Sequence, residues 1–328
     1  MYKNFIVEEE NRLDKFLTSK IDASRNQIEQ LIKKEFVKVD GKIVNKSGFK
    51  LKENQEIEVY LPQNALNQEK DEEFLKESLK DVFVEIIYED DDVLILNKPA
   101  NLTIHDAPSV KDATLVDWLK LKNISLSTIS GEERHGIVHR LDKGTSGIIA
   151  IAKTNEAHIS LAKQLENRTM GRYYIAVIDN PLKDNLIIEK KIARNPNNRL
   201  KMGIAEDGRD AKTAFLKLLE SENNKYELIS AKLFTGRTHQ IRVHLSSINR
   251  HILGDNLYGF KGDLNKINRF FLHAYILELI HPTKNIKMCF KANLPKDIND
   301  FLNLNFSKDF INEKIDTSNI INGFSNFS

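Results

Sequence analysis

The segment Gly136-Ile137-Val138-His139-Arg140-Leu141-Asp142-Lys143-Gly144-Thr145-Ser146-Gly147 decides how the chain is read. It leaves one short apolar run and enters another, Ile148-Ile149-Ala150-Ile151-Ala152, which reads as a buried strand. Charged and hydroxyl side chains crowd around glycines between the two runs. That is a poor composition for a core and a usual one for a loop that rigid strands hold at an active site. Asp142 stands between Arg140 and Lys143. Cations close to a carboxylate favour its ionised form, the form that serves as nucleophile or base. On spacing alone, a salt-bridged surface turn explains the segment as well.

Working outward, Val93-Leu94-Ile95-Leu96 is a compact buried strand ended by Asn97-Lys98-Pro99. After residue 152 a helical stretch turns Ala157, Leu161, Ala162 and Leu165 inward, and strand-like runs follow at 173–177, 213–219 and 226–233. Strands outnumber helices without a regular βαβ alternation. The fold class is therefore α+β, a mixed, mainly antiparallel sheet with flanking helices. The segment 239–248 carries Ile241, Leu245 and Ile248 at helical spacing, which predicts a helix capped by Thr238.

Residues 1–62 read as a separate small unit. Ser24 followed by Gln27 has the capping-box pattern, and Ile28, Leu31 and Ile32 give the helix behind it one apolar face. An earlier helix turns Leu13, Phe16 and Leu17 inward. Asp40-Gly41 between alternating residues predicts a hairpin, and 56–61 a closing strand. Residues 63–82 are polar and read as a linker, 83–302 as the large domain, and 303–328, rich in Asn, Ser and Phe, as a C-terminal tail.

Composition narrows the class. The chain has 328 residues and a net charge of +2, with hydrophobic residues at 41%, the range of a soluble globular protein. Its acids concentrate in 67–92 and many of its basic residues in the N-terminal segment and in 134–212, which suits a basic face toward a phosphate backbone. The single cysteine, Cys289, excludes an internal disulfide and a cysteine-rich zinc site, and reads as a small buried apolar residue. No run approaches the ~20 apolar residues of a membrane helix. The acidic N-terminus does not resemble a signal peptide, so the expected location is the cytoplasm.

His139-Arg140-Leu141-Asp142-Lys143-Gly144-Thr145-Ser146-Gly147 resembles the signature of the RluA/RluD family of RNA pseudouridine synthases. The resemblance extends to Asn97-Lys98-Pro99 with Leu102 and His105, to Arg172-Tyr173-Tyr174-Ile175-Ala176-Val177, and to Thr235-Gly236-Arg237-Thr238-His239-Gln240-Ile241-Arg242. Gly254-Asp255, Tyr258-Gly259, Leu272-His273-Ala274 and His281-Pro282 follow in the family's order. Arg12 to Leu17, Ser24-Arg25, Leu31-Ile32 and Val37 to Lys42 are similar to an S4 RNA-binding module. The sequence departs at Glu35-Phe36 and Asn101, where a glycine is common, and at Asp106, where a proline is common.

The resemblance implies a pseudouridine synthase domain behind an S4-like domain, acting on uridine in RNA, large-subunit ribosomal RNA before tRNA; an isomerisation needs no cofactor, and a monomer without metal is expected. It implies Asp142 as the essential carboxylate, Tyr174 rather than Tyr173 as the aromatic partner, and Arg242 as the arginine that pairs with Asp142. His139, Arg140, Arg237, His239 and Gln240 are the expected RNA contacts near the pocket, and Arg25, Lys33, Lys34 and Lys38 those of the S4-like unit. Two alternatives stay open. One is a non-catalytic RNA-binding assembly factor. The other is a glycosidase-like enzyme, which needs a second carboxylate near the first.

Overall fold

The computed structural model describes residues 2–21, 23, 25–61, 70, 72–105, 110–129, 135–262 and 269–327. The chain divides into two compact units, Met1–Glu72 and Glu73–Ser328, so the division falls inside the stretch read as a linker.

In the first unit, β1 (Tyr2–Ile6) pairs with β6 (Glu56–Tyr60), which pairs with β3 (Val37–Val39), and β3 with β4 (Lys42–Ile43). β2 (Asn11–Arg12) and β5 (Lys50–Leu51) form a separate short ladder. The β3–β4 hairpin turns through Asp40 and Gly41, both at positive φ (49° and 76°), as its sequence requires. Helices α1 (Leu13–Lys20) and α2 (Arg25–Lys33) bury Leu13, Phe16 and Leu17 from one and Ile28, Leu31 and Ile32 from the other in a common core. The Ser24 cap lies outside the described residues, as does Asp106.

Helix α2 ends in a Schellman motif. Phe36 N–H donates to the Leu31 carbonyl (3.0 Å) and Glu35 N–H to that of Ile32 (3.1 Å), with Glu35 at φ 62°. A glycine adopts that conformation without steric cost, whereas an L side chain is strained there. Glu35→Gly is therefore expected to stabilise this unit by about 1 kcal/mol, read as a higher denaturant midpoint. A lower midpoint would mean that the glutamate side chain itself holds the turn. Asn101, the other residue standing where a glycine is common, also lies at positive φ (64°), a conformation asparagine tolerates.

The second unit opens with α3 (Glu72–Leu79), whose Leu79 enters the main core. It continues through β7 (Glu85–Glu89), β8 (Val93–Lys98), α4 (Leu115–Leu121), β9 (Ser146–Ala152), α5 (Asn155–Glu166) and β10 (Gly171–Asp179). Then come β11 (Leu186–Glu189), β12 (Ile192–Arg194), β13 (Met202–Ile204), β14 (Lys212–Glu220), β15 (Tyr226–Leu233) and α6 (Gln240–Ser246). β16 (Leu272–Ile280), β17 (Lys287–Lys291), α7 (Lys296–Asn305), α8 (Lys308–Lys314) and α9 (Thr317–Gly323) complete it.

Its sheet runs β11-β14-β15-β10-β16-β9-β8-β7, with β17 beside β16. Every ladder is antiparallel except β16 with β9. The continuous apolar runs of β8 and β9 follow from a sheet covered on both faces. Leu94, Leu96, Ile149 and Ile151 join the main core on one face. Val93, Ile95, Ile148, Ala150 and Ala152 join Ala157 and Leu161 of α5 on the other. Of the stretch read as a tail, the described residues 303–327 carry helical structure that plugs the main core with Phe306, Ile311, Ile315, Ile320 and Phe324.

Cys289 corrects an expectation. It is exposed on β17, which among the described residues pairs only with β16, and strand alternation turns Phe290 inward instead. Among the described residues no helix is long and apolar enough to cross a membrane.

Candidate active site

The Asp142 loop feeds directly into β9. Thr145 N–H donates to the Asp142 carbonyl at 3.0 Å and closes the turn. Gly147 then pairs with Ala274 of β16 at φ +112°, where a Cβ would stand 2.1 Å from the Ala274 carbonyl oxygen. Only glycine allows this entry into the sheet. Lys98 ties the loop from below. Its ammonium is fully buried and donates to the carbonyls of Pro99 (2.8 Å), Leu102 (2.9 Å) and Lys143 (3.5 Å). Burial pushes that ammonium down to about 7, against the pull of the Asp142 charge.

Asp142 meets Arg242 of α6. Arg242 Nη1 donates to Asp142 Oδ2 at 3.2 Å. Arg242 is itself held from the other side, with Nε and Nη2 donating to the two oxygens of Asp255 at 2.7 and 2.9 Å. The bidentate fork fixes the guanidinium plane and leaves Nη1 aimed at Asp142. The rings of Phe270 and Tyr258 flank the cation, with Cζ 4.2 and 4.7 Å from their centroids. Burial disfavours the guanidinium's charge, and the two carboxylates more than reverse the effect.

His239 precedes α6 in the left-handed region (φ 56°), a conformation histidine visits more readily than most residues. Its Nε2 lies 4.0 Å from Asp142 Oδ2, and its Nδ1 is 2.8 Å from the Tyr258 hydroxyl. That hydroxyl already accepts from Met202 N–H at 2.8 Å, so its own proton is available to Nδ1. Assigned this way, the neutral ring carries its proton on Nε2, toward Asp142. Burial lowers the imidazole's pKa and favours the neutral form.

Tyr174 lines the same cleft as Asp142, together with Arg140, Thr145, Leu233, Arg237, His239 and Leu272. Burial pushes its phenol up to about 12, and the neighbouring Arg172 cation works in the opposite sense. Tyr173 is placed differently, because its hydroxyl donates to Glu278 at 2.8 Å and its ring lies near that of Phe324.

The remaining expected contacts divide. Arg140 is exposed and Arg237 half-buried along the cleft, the latter with Nε bonded to the Asp210 carbonyl at 2.9 Å. Gln240, also expected to contact RNA, lines the cleft. It is 3% exposed, and its amide is fully used. Oε1 accepts from the Thr235 hydroxyl (2.7 Å) and Arg237 N–H (3.0 Å), while Nε2 donates to the Lys212 carbonyl (3.0 Å) and the Thr213 hydroxyl (2.9 Å). These bonds brace the turn into α6 in place of the expected Thr238 cap, since His239 occupies the cap position and no side chain caps it.

His139 is half-buried, and its Nε2 accepts Ala150 N–H at 3.0 Å. In the first unit Lys33 and Lys34 are exposed at the end of α2. Arg25 opens α2 and its side chain lies outside the described residues, whereas Lys38 is paired with Glu58 at 2.7 Å.

A family model described as RNA pseudouridylate synthase matches residues 92–247, and one described as S4 domain matches 11–57. An RNA pseudouridine synthase of Helicobacter pylori, itself uncharacterized, is 48% identical over 333 residues, covering 99% of each chain. The chain belongs to the RNA pseudouridine synthase family. Ribosomal large subunit pseudouridine synthase D of Zymomonas mobilis is 36% identical over 299 residues, covering 88% of this chain and 91% of that one. Human RNA pseudouridylate synthase domain containing 4 shares the fold, with a TM-score of 0.53 at 21% identity over 71% of this chain and 95% of that one.

As a pseudouridine synthase the protein is an isomerase that acts on RNA. Asp255, an acid that motif reading left without a role, shares Arg242 with Asp142. It is 1% exposed with both oxygens on Arg242, so it cannot serve as the second carboxylate of a glycosidase. Its signal in the sequence is Gly254-Asp255, whose link to Arg242 is made only by folding.

Proposed function

We propose that this pseudouridine synthase acts on uridine in large-subunit ribosomal RNA, with Asp142 engaging the ribose, Tyr174 facing the freed base and Arg242 holding Asp142 in place. The observation that carries the reading is the placement of Asp142. It is one mostly buried carboxylate in a cleft lined by an aromatic ring, and it meets a guanidinium whose other bonds are already made. The large-subunit substrate is supported by the printed name of the Zymomonas mobilis relative and by the S4 domain at the N-terminus.

The reaction breaks the N-glycosidic bond, turns the base over and joins C5 to C1′. The proton at C5 is lost and one is gained at N1, so the balance is an isomerisation that consumes no oxidant or reductant. The Asp142 carboxylate either attacks C1′ or removes the C2′ proton. Both routes need the carboxylate close to the sugar, and the Arg242 contact fixes its position. Extracting the uridine costs a few kcal/mol of stacking and pairing. A ring such as Tyr174 against the extracted base and an arginine such as Arg140 at the rim offset that cost. Arg25, Lys33 and Lys34 of the S4 domain are further proposed phosphate contacts.

Release of tritium from RNA labelled at uridine C5 tests the reading, because forming the new carbon–carbon bond expels that hydrogen. Release is expected from a large-subunit ribosomal RNA transcript or pre-ribosomal particle and not from bulk tRNA. The reverse pattern moves the substrate to tRNA. Binding without release from either leaves an RNA-binding assembly factor.

A further inference from the structure

Arg172 has entered so far only as the cation that acts on the Tyr174 phenol. It stands on β10 two residues before Tyr174 and is 7% exposed. Its Nε has no hydrogen-bond partner, and among the described residues no carboxylate pairs with it. Burying a guanidinium without acceptors is costly, and arginine cannot escape the cost by losing its proton. Structural ion pairs in this unit, such as Arg242 with Asp255 and Arg269 with Asp297, are satisfied by contrast.

A second unspent donor belongs to His139, which is bonded to Ala150 of β9, while Arg172 stands on β10, and both strands flank β16. His139 Nε2 accepts Ala150 N–H, so the neutral ring carries its proton on Nδ1, and that nitrogen is buried without a partner. Burial pushes the ring's pKa down to about 3, with the Arg172 charge adding to the effect, so the ring stays neutral. Access lies at Gly236. A Cβ there would stand 2.9 Å from Arg172 Nη1, and Gly236 is exposed in the Thr235-Gly236-Arg237 loop that borders the cleft.

We propose that Arg172 and His139 Nδ1–H form a binding site for one phosphate group of the RNA strand, entered beside Gly236. The site rests on the RNA-directed activity of the family and not on the choice of ribosomal RNA. An anion that satisfies both donors explains why the fold keeps an unpaired buried cation, because the cost in the free protein is offset only when RNA is bound.

The test measures RNA binding by the full-length protein across a series of KCl concentrations, for Arg172→Met, Arg172→Lys and Gly236→Ala. The probe is a large-subunit ribosomal RNA transcript. Arg172→Met is expected to weaken binding about tenfold and to flatten the slope of log affinity against log salt by about 0.7, the value of one lost phosphate contact on a single strand. Arg172→Lys restores the slope, and Gly236→Ala weakens binding by displacing Nη1. The melting temperature of free Arg172→Met should not fall, since the cation stabilises nothing there. A lower melting temperature would assign Arg172 a structural role and overturn the site. So would an unchanged salt slope with a loss confined to turnover. If the wild type binds RNA but releases no tritium, the substrate reading fails while this test, which reads binding, still decides the site.

Discussion

Asp142→Asn is expected to abolish turnover, lowering tritium release at least roughly 10³-fold, while the protein stays folded and still binds RNA. Asparagine keeps the shape and still offers an acceptor to Arg242 Nη1. Arg242 keeps both bonds to Asp255, so no buried cation is left unpaired. What the substitution removes is the negative charge and the lone pairs that attack C1′ or take the C2′ proton, and an amide performs neither. The measurement pairs single-turnover tritium release with filter binding and a melting curve. Residual turnover above about 1% of wild type with intact binding would move the chemistry to another group.

Asp255→Asn should damage both stability and catalysis, although Asp255 touches no substrate. The substitution replaces one of two acceptors with an N–H₂ group that faces Arg242 donors, and it strips a 1% exposed guanidinium partner of its charge. Breaking a buried pair of this kind costs about 3 kcal/mol or more, read as a fall in melting temperature of roughly 6–12 °C for a domain of this size. Once released, Arg242 turns toward Asp142 as its only carboxylate partner in the site and draws it out of position. A displacement of about 1 Å is enough to cost on the order of 100-fold in turnover. Turnover should therefore fall even at temperatures where the variant is fully folded, with RNA affinity little changed. A stable, active Asp255→Asn variant would show that Asp142 needs no fixed arginine.

Much of the site was legible because the motifs are local. The loop from His139 to Gly147 is contiguous, and the alternation around Tyr173-Tyr174 and the helical spacing from Ile241 to Ile248 place their side chains before any fold is known. Gln240 shows where that reading stops. Its place in the motif that resembles the family's suggested RNA, but an amide's role depends on whether the chain around it supplies four partners, and these come from Lys212, Thr213, Thr235 and Arg237. Cys289 shows the same limit for burial, since one residue of register on an outer strand decides which side faces the core.

The amino-acid sequence by itself determined the strands and the hairpin at Asp40-Gly41, because periodicity and turn chemistry act over a few residues, while the resemblance of its motifs to the family singled out Asp142, Tyr174 and Arg242. Tertiary structure alone decided that Asp255 orients Arg242, that the helices from 306 to 324 complete the core, and that Arg172 and His139 each bury an unspent donor. Those facts depend on groups far apart in the chain, Asp142 and Arg242 being 100 residues from one another. Only packing settles which of the many possible distant pairs come within hydrogen-bonding reach.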